Sequence, residues 1–306
     1  MITSIFSKSK PINFLIVFLV SLLAIFIAIN KYAALEVVSN NYTVLATTLV
    51  CLFLTALVID FIVTKNTLSQ KQNLETIVFC LLLFAVPQVF LNYKIVIANL
   101  LFLLALRRLL SLRTQKDVEK KLFDASVLIA LASIFHFWCI LFLPLIYITM
   151  LFYTITDIKK WAIPLLGVFS VVIVAITYSL LVNNNFFSAL YINPAVSINL
   201  NAYNSIQFIV VITMLLSLGL WSSVFFLNTI KKKKKTFRPS YKVVFVSCLI
   251  ALLIAIITPI KTGNEFLFLF APLSIVISNY IEIIEEKWFK EMFFIILVVV
   301  PIILLL

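Results

Sequence analysis

Histidine, glycine and charge are all scarce in this chain. Its 306 residues include one His and three Gly, and only 12% are charged. One histidine excludes a multi-His metal centre. The four cysteines (Cys51, Cys80, Cys139 and Cys248) sit in or at the ends of apolar runs with no CxxC spacing. They indicate neither a disulfide framework nor a zinc site. Average usage would give about twenty glycines in a chain of this length. Their scarcity argues against a transporter built on broken helices, which relies on Gly/Pro interruptions near the membrane midplane. No P-loop, nucleophile elbow or HExxH motif is present, so no cofactor or metal is expected. Acid is sparse too, with 12 Asp and Glu against 24 Lys and Arg. No carboxylate falls at the centre of an apolar run, which speaks against a proton relay.

What is abundant is apolar surface. Hydrophobic residues make up 64% of the chain, against about half in a soluble domain. They are arranged in runs of roughly 15 to 25 residues, the length a helix needs to cross a bilayer. Alternating segments of about ten residues, the mark of a β-barrel, are absent. The expected fold class is therefore all-α, a polytopic transmembrane helical bundle forming one integral membrane domain over residues 1–306. The candidate spans are 12–30, 44–63, 74–91, 93–110, 125–155, 162–182, 206–229, 243–260, 265–282 and 290–306. The first is too long for a signal-peptide core and reads as a retained anchor. The net charge of +12 does not point to nucleic acid, because the basic residues lie in short clusters between apolar runs, as in cytoplasmic loops.

The stretch 125–155 decides the threading. If it is a helical hairpin and the N-terminus is cytoplasmic, 21 of the 24 basic residues face the cytoplasm, leaving Lys31, Lys94 and Lys261 outside. If it crosses once, the split becomes 11 against 13 and the asymmetry vanishes. The positive-inside bias therefore favours the hairpin, about 11 membrane segments in all, and an external C-terminus. Arms of about 15 residues reach only roughly 22 Å. The tip at His136–Cys139 is thus expected to sit below the outer surface, as a recess lined by His136 and Trp138.

Charges near the spans are the next source of information. Asp60 and Glu75 are expected to pair with Lys65 and Lys71. The cytoplasmic segment RRLLSLRTQKDVEKKLF places Arg107, Arg108 and Arg113 among leucines, where they serve as topology anchors or lipid-headgroup contacts. The run KKKKKTFRPSYK is a retention anchor rather than a nuclear signal. The outer face offers Lys31, Glu36, Lys94, His136, Lys261 and Glu265. A carboxylate beside a cavity can act as a general base, and Lys or His can hold a phosphate. The uncharged loop Asn183–Ser205 is expected to graze the outer interface.

Two resemblances follow. FSKSKPINFLIVF, LLFLLALRRLLSLR, KKLFDASVLIALASIFHFW and NEFLFLFAPLSIVISNYIE resemble an uncharacterised family of bacterial multi-pass inner-membrane proteins, a domain of unknown function. That likeness implies location rather than chemistry. A first-loop acid, short mid-chain helices, and Lys261 ahead of the helix Phe266–Pro272 are similar to polyprenyl-phosphate-dependent membrane glycosyltransferases. By that resemblance Glu36 is the catalytic base toward an acceptor outside, a lipid-linked sugar is the donor, and Lys261 or His136, with Glu265 nearby, contacts phosphate or substrate. The first outer loop is shorter than in those enzymes, the acid is Glu rather than Asp, and their soluble outer domain is missing. The expected partners are membrane lipids, a polyprenyl-phosphate-linked sugar and a membrane protein partner. The alternatives are a non-catalytic membrane subunit and, disfavoured, a transporter.

Overall fold

The computed structural model describes residues 42–69, 73–183 and 194–305, together with Phe18, Leu19, Leu22, Leu23, Phe26 and Ile27. The expected span 12–30 and the first loop with Lys31 and Glu36 lie otherwise outside the described residues. Among the described residues the long elements are ten α-helices, with no strand. They are α1 Tyr42–Asn66, α2 Leu74–Ala85, α3 Tyr93–Ser111, α4 Val118–Phe135, α5 Leu143–Phe152, α6 Ile158–Asn183, α7 Ile206–Lys232, α8 Arg238–Ile257, α9 Leu267–Ile283 and α10 Lys287–Leu305. Six of them (α1, α3, α6, α7, α8 and α9) are long and apolar enough to cross a membrane.

Contacts between loops show that successive helices run between two common ends. At one end Arg113 donates to the Lys65 carbonyl, Gln115 to the Tyr153 carbonyl, and Tyr241 to the Thr67 carbonyl. Tyr153 also bonds Ser240 there. This is the basic end, carrying the KKKKK run and Arg107 to Lys121. At the other end Gln88 meets Gln207, the Ser197 N–H bonds the Ile257 carbonyl, and the His136 ring lies 5.3 Å from that of Phe268. The chain thus turns at His136, and α5 carries it back to the basic end.

The hairpin arms are longer than their apolar stretches suggest. The first begins at Val118, so α4 has 18 residues and rises about 27 Å. The second joins a six-residue 3₁₀ segment, Phe137–Phe142, to the ten residues of α5. Because a 3₁₀ turn rises about 2.0 Å per residue, this arm also reaches roughly 27 Å. The expected arm of 22 Å is corrected accordingly, since tight winding stretches a short segment nearly to the thickness of a hydrocarbon core. The same device extends α2 through Pro87–Leu91.

Helix α9 is the centre of the bundle. Its sequence is mostly apolar, and every residue from Leu267 to Ile281 is buried, as expected of a helix enclosed by its neighbours. The corresponding span is 89% buried, whereas that of α6 is 22% buried and lies at the periphery. Several hydroxyls inside the bundle are satisfied within their own helices: Thr55 donates to the Cys51 carbonyl, Thr149 to that of Leu145 and Ser274 to that of Ala271. Helix α7 is closed by side chains at both ends. Ser205 caps α7 by accepting from the Phe208 N–H, and Arg238 caps its far end through the Lys231 and Lys233 carbonyls.

Of the expected pairing, Lys71 lies outside the described residues, and among the described residues neither Asp60 nor Glu75 forms an ion pair. Among the described residues the ion pairs are Arg108–Asp124, Lys120–Asp117 and Lys160–Asp157. Glu75 is fully buried on α2, and neither of its oxygens has a hydrogen-bond partner. The sequence places it beside basic residues, but α2 packs against α9, α10 and α1, which turns it inward.

Candidate functional site

A cavity of about 910 Å³ opens at the His136 end, near the upper limit of ordinary ligand pockets. Two of its walls come from α4 (Val127, Leu131, Ile134) and α6 (Val171, Val174, Ala175). These helices meet at Ser126 and Gly167, where a Cβ added to the glycine would lie 1.9 Å from Ser126 Oγ. All lining residues of α4 and α6 follow Ser126 and Gly167 in sequence, so the cavity begins where this contact ends. From Val127 to Phe135 it extends along about 12 Å of helix.

The far end of the cavity is polar. Lys94 and Asn92 reach it from the start of α3, His136 and Trp138 from the hairpin turn, and Thr258 and Thr262 from the loop after α8. His136 Nε2 and Trp138 Nε1 are buried and have no hydrogen-bond partner. Buried polar atoms rarely stay unpaired without a reason. Among the described lining residues there is no Asp or Glu.

Lys261 and Glu265 stand next to this region but outside the lining. The Lys261 ammonium donates to the Ser197 carbonyl at 2.6 Å and the Thr258 carbonyl at 2.7 Å. Burial holds it below the usual lysine range, and the charge of Glu265 acts in the opposite direction. Glu265 accepts from the Tyr203 hydroxyl and, at 3.2 Å, from the Gly263 N–H. Burial and the Glu265 charge push the Tyr203 phenol up, so it stays a proton donor. Gly263 has φ +86°, and a Cβ there would meet Phe208 at 2.4 Å. Together these bonds strap the Ala195–Asn204 segment onto the 255–266 turn. Tyr203 was not legible as part of this site, because it lies 62 residues before its partner.

The expected residues therefore separate into three groups. His136 lines the cavity; Lys261 and Glu265 hold the adjoining loops; Glu36 lies outside the described residues. Arg107, Arg108 and Arg113 are at the opposite end, where protein groups engage each of them. Arg107 stacks over Phe61 at 4.3 Å, Arg108 pairs with Asp124 at 3.1 Å, and Arg113 stacks over Phe237 at 4.4 Å.

Fold and site together define a polytopic helical protein of membrane type, with an amphipathic cavity opening at one end of the bundle. The chain belongs to the family described as "Family of unknown function (DUF6427)", whose model matches residues 1–306. No curated protein and no solved structure matches it.

Proposed function

We propose that this is a multi-pass protein of a bacterial cytoplasmic membrane whose cavity binds an amphiphile from the outer leaflet. In this reading the chain makes about eleven membrane segments, the basic end is cytoplasmic, and the His136 end and the C-terminus lie outside. The charge asymmetry of the loops supports that orientation. The observation that carries the binding role is the cavity: apolar walls between α4 and α6, with unpaired nitrogen groups of His136 and Trp138 at one end. An apolar chain fits the walls and a polar head satisfies the nitrogens.

Native mass spectrometry of the protein released from a mild detergent tests this. The wild type should carry a bound amphiphile, and Ala175→Trp, which places a bulky ring between the α4 and α6 walls, should lose it. Equal occupancy in both proteins would end the reading. A lipid-linked sugar with Glu36 as base is the catalytic form of the proposal. Its test is envelope glycan profiling after Glu36→Gln, where an unchanged profile in a strain that needs the gene favours a non-catalytic subunit.

A further inference from the structure

We infer that the amphiphile bound in this cavity carries two hydrocarbon chains side by side, as a diacyl lipid does. This rests on the amphiphile reading and adds the class of its tail. Helices α4 and α6 both run away from the basic end, and they wall the cavity over matching stretches. Val127 to Phe135 on α4 and Ser170 to Tyr178 on α6 each rise about 12 Å. Much of the α6 wall is made of short side chains, Ser170, Val171, Val174 and Ala175, which leave the gap wide. The Ser170 hydroxyl donates to the Gly167 carbonyl at 2.8 Å, so this part of the wall is apolar in effect. Below it, the contact of Ser126 with Gly167 closes the gap.

Width decides how many chains fit. With carbon–carbon bonds of about 1.5 Å, an extended chain advances about 1.25 Å per carbon, so that length of wall accepts roughly ten carbons. At about 30 Å³ each, close to a water molecule's share of liquid volume, they fill roughly 300 Å³. That is about a third of the 910 Å³ available. Two chains fill about two thirds, and the remainder, at the turns around His136 and Trp138, takes the group that joins them. A lone chain would leave a void along the walls, and a void forfeits the dispersion contacts of the atoms that line it. One longer chain could supply the same volume only by doubling back against the closed contact at Ser126 and Gly167. Two chains joined at the polar end enter in parallel without that reversal. Val174 and Tyr178, exposed on the α6 wall, leave a side through which the remaining carbons pass into surrounding lipid.

The test uses the full chain in phosphatidylcholine nanodiscs doped with one of three diazirine-bearing probes. Two share a head and a labelled tail, a phosphatidylcholine with two chains and a lysophosphatidylcholine with one; the third is a polyprenyl phosphate. Labelled peptides are mapped by mass spectrometry, and yields at 127–135 and 170–178 are divided by those at 216–227, which carries exposed apolar residues of α7. The two-chain probe should exceed the one-chain probe roughly tenfold on this ratio. Ala175→Leu, which narrows the gap, should bring the two probes level, and the size-conserving Ala175→Ser should keep the preference. Equal labelling by the two probes in the wild type overturns the two-chain tail while leaving the amphiphile reading intact. A preference that survives Ala175→Leu overturns it too, because width is then not its cause. Stronger labelling by the polyprenyl probe than by the two-chain probe assigns the cavity to a single folded chain. Labelling no stronger than on α7 with every probe overturns both readings, since only surrounding lipid is then being sampled.

Discussion

The contact between Gly167 and Ser126 determines where the cavity starts, and it yields a quantitative test. A methyl group on residue 167 would lie 1.9 Å from Ser126 Oγ, 3.1 Å from the Phe123 carbonyl oxygen and 3.1 Å from Ser126 Cβ. The hydroxyl can swing away, but it then gives up its 2.8 Å bond to the Phe123 carbonyl, a loss of about 0.5–1.5 kcal/mol. The two remaining contacts involve atoms held by the α4 backbone and add roughly 1 kcal/mol of overpacking. Alanine's better helix propensity offsets about 1 kcal/mol. Gly167→Ala should therefore destabilise the wild type by about 1 kcal/mol. In a Ser126→Ala background the hydroxyl and its bond are already gone, so the same change should be neutral or stabilising. The informative quantity is the coupling, about 0.5–1.5 kcal/mol, from a double-mutant cycle of unfolding in mixed micelles. Additivity within about 0.5 kcal/mol would refute the close approach of α4 and α6, and with it the stated floor of the cavity.

Tyr203→Phe removes the donor from a buried carboxylate and should cost about 1.5–3 kcal/mol, measured by the same unfolding assay; no change would mean that the Tyr203–Glu265 strap is not formed. Gly263→Ala should lower the melting temperature, because φ +86° disfavours a side chain and Phe208 occupies the space, and Phe208→Ala should restore part of the loss. Burial lowers the Lys261 pKa, so the unfolded chain binds more protons there between that lowered value and about 10.4. Stability should consequently rise with pH through that window in the wild type, whereas Lys261→Met should lack the rise; identical slopes in thermal scans would contradict it. Cysteines placed at Asn201 and at Gln115 should react with an impermeant maleimide in intact cells only at Asn201, and the opposite pattern would invert the proposed orientation.

Much of the architecture was legible because a bilayer constrains sequence on a single scale. The length of each apolar run follows from helix rise and membrane thickness, so α1, α3, α6, α7, α8 and α9 lie within a few residues of their expected spans. The hairpin was legible from the balance of charges, since either threading assigns every later lysine to a definite side. The arm lengths were not, because a 3₁₀ segment and a helix of the same composition differ only in how they wind. Glu75 was misjudged for a related reason: its neighbours in sequence are basic, but its neighbours in space belong to α9 and α10.

Sequence alone determined that this chain is helical, apolar and threaded back and forth, because those properties depend on composition summed over twenty residues at a time. It also marked His136 and Trp138 as unusual polar groups at a turn. Only the tertiary structure decided that they share a cavity with Lys94, Thr258 and Thr262, that Lys261 and Glu265 tie down loops beside it, and that Arg107, Arg108 and Arg113 are engaged at the opposite end. Convergence of this kind comes from packing between segments up to about 170 residues apart. It turns on contacts as local as a missing Cβ at Gly167, for which hydropathy and charge carry no signal.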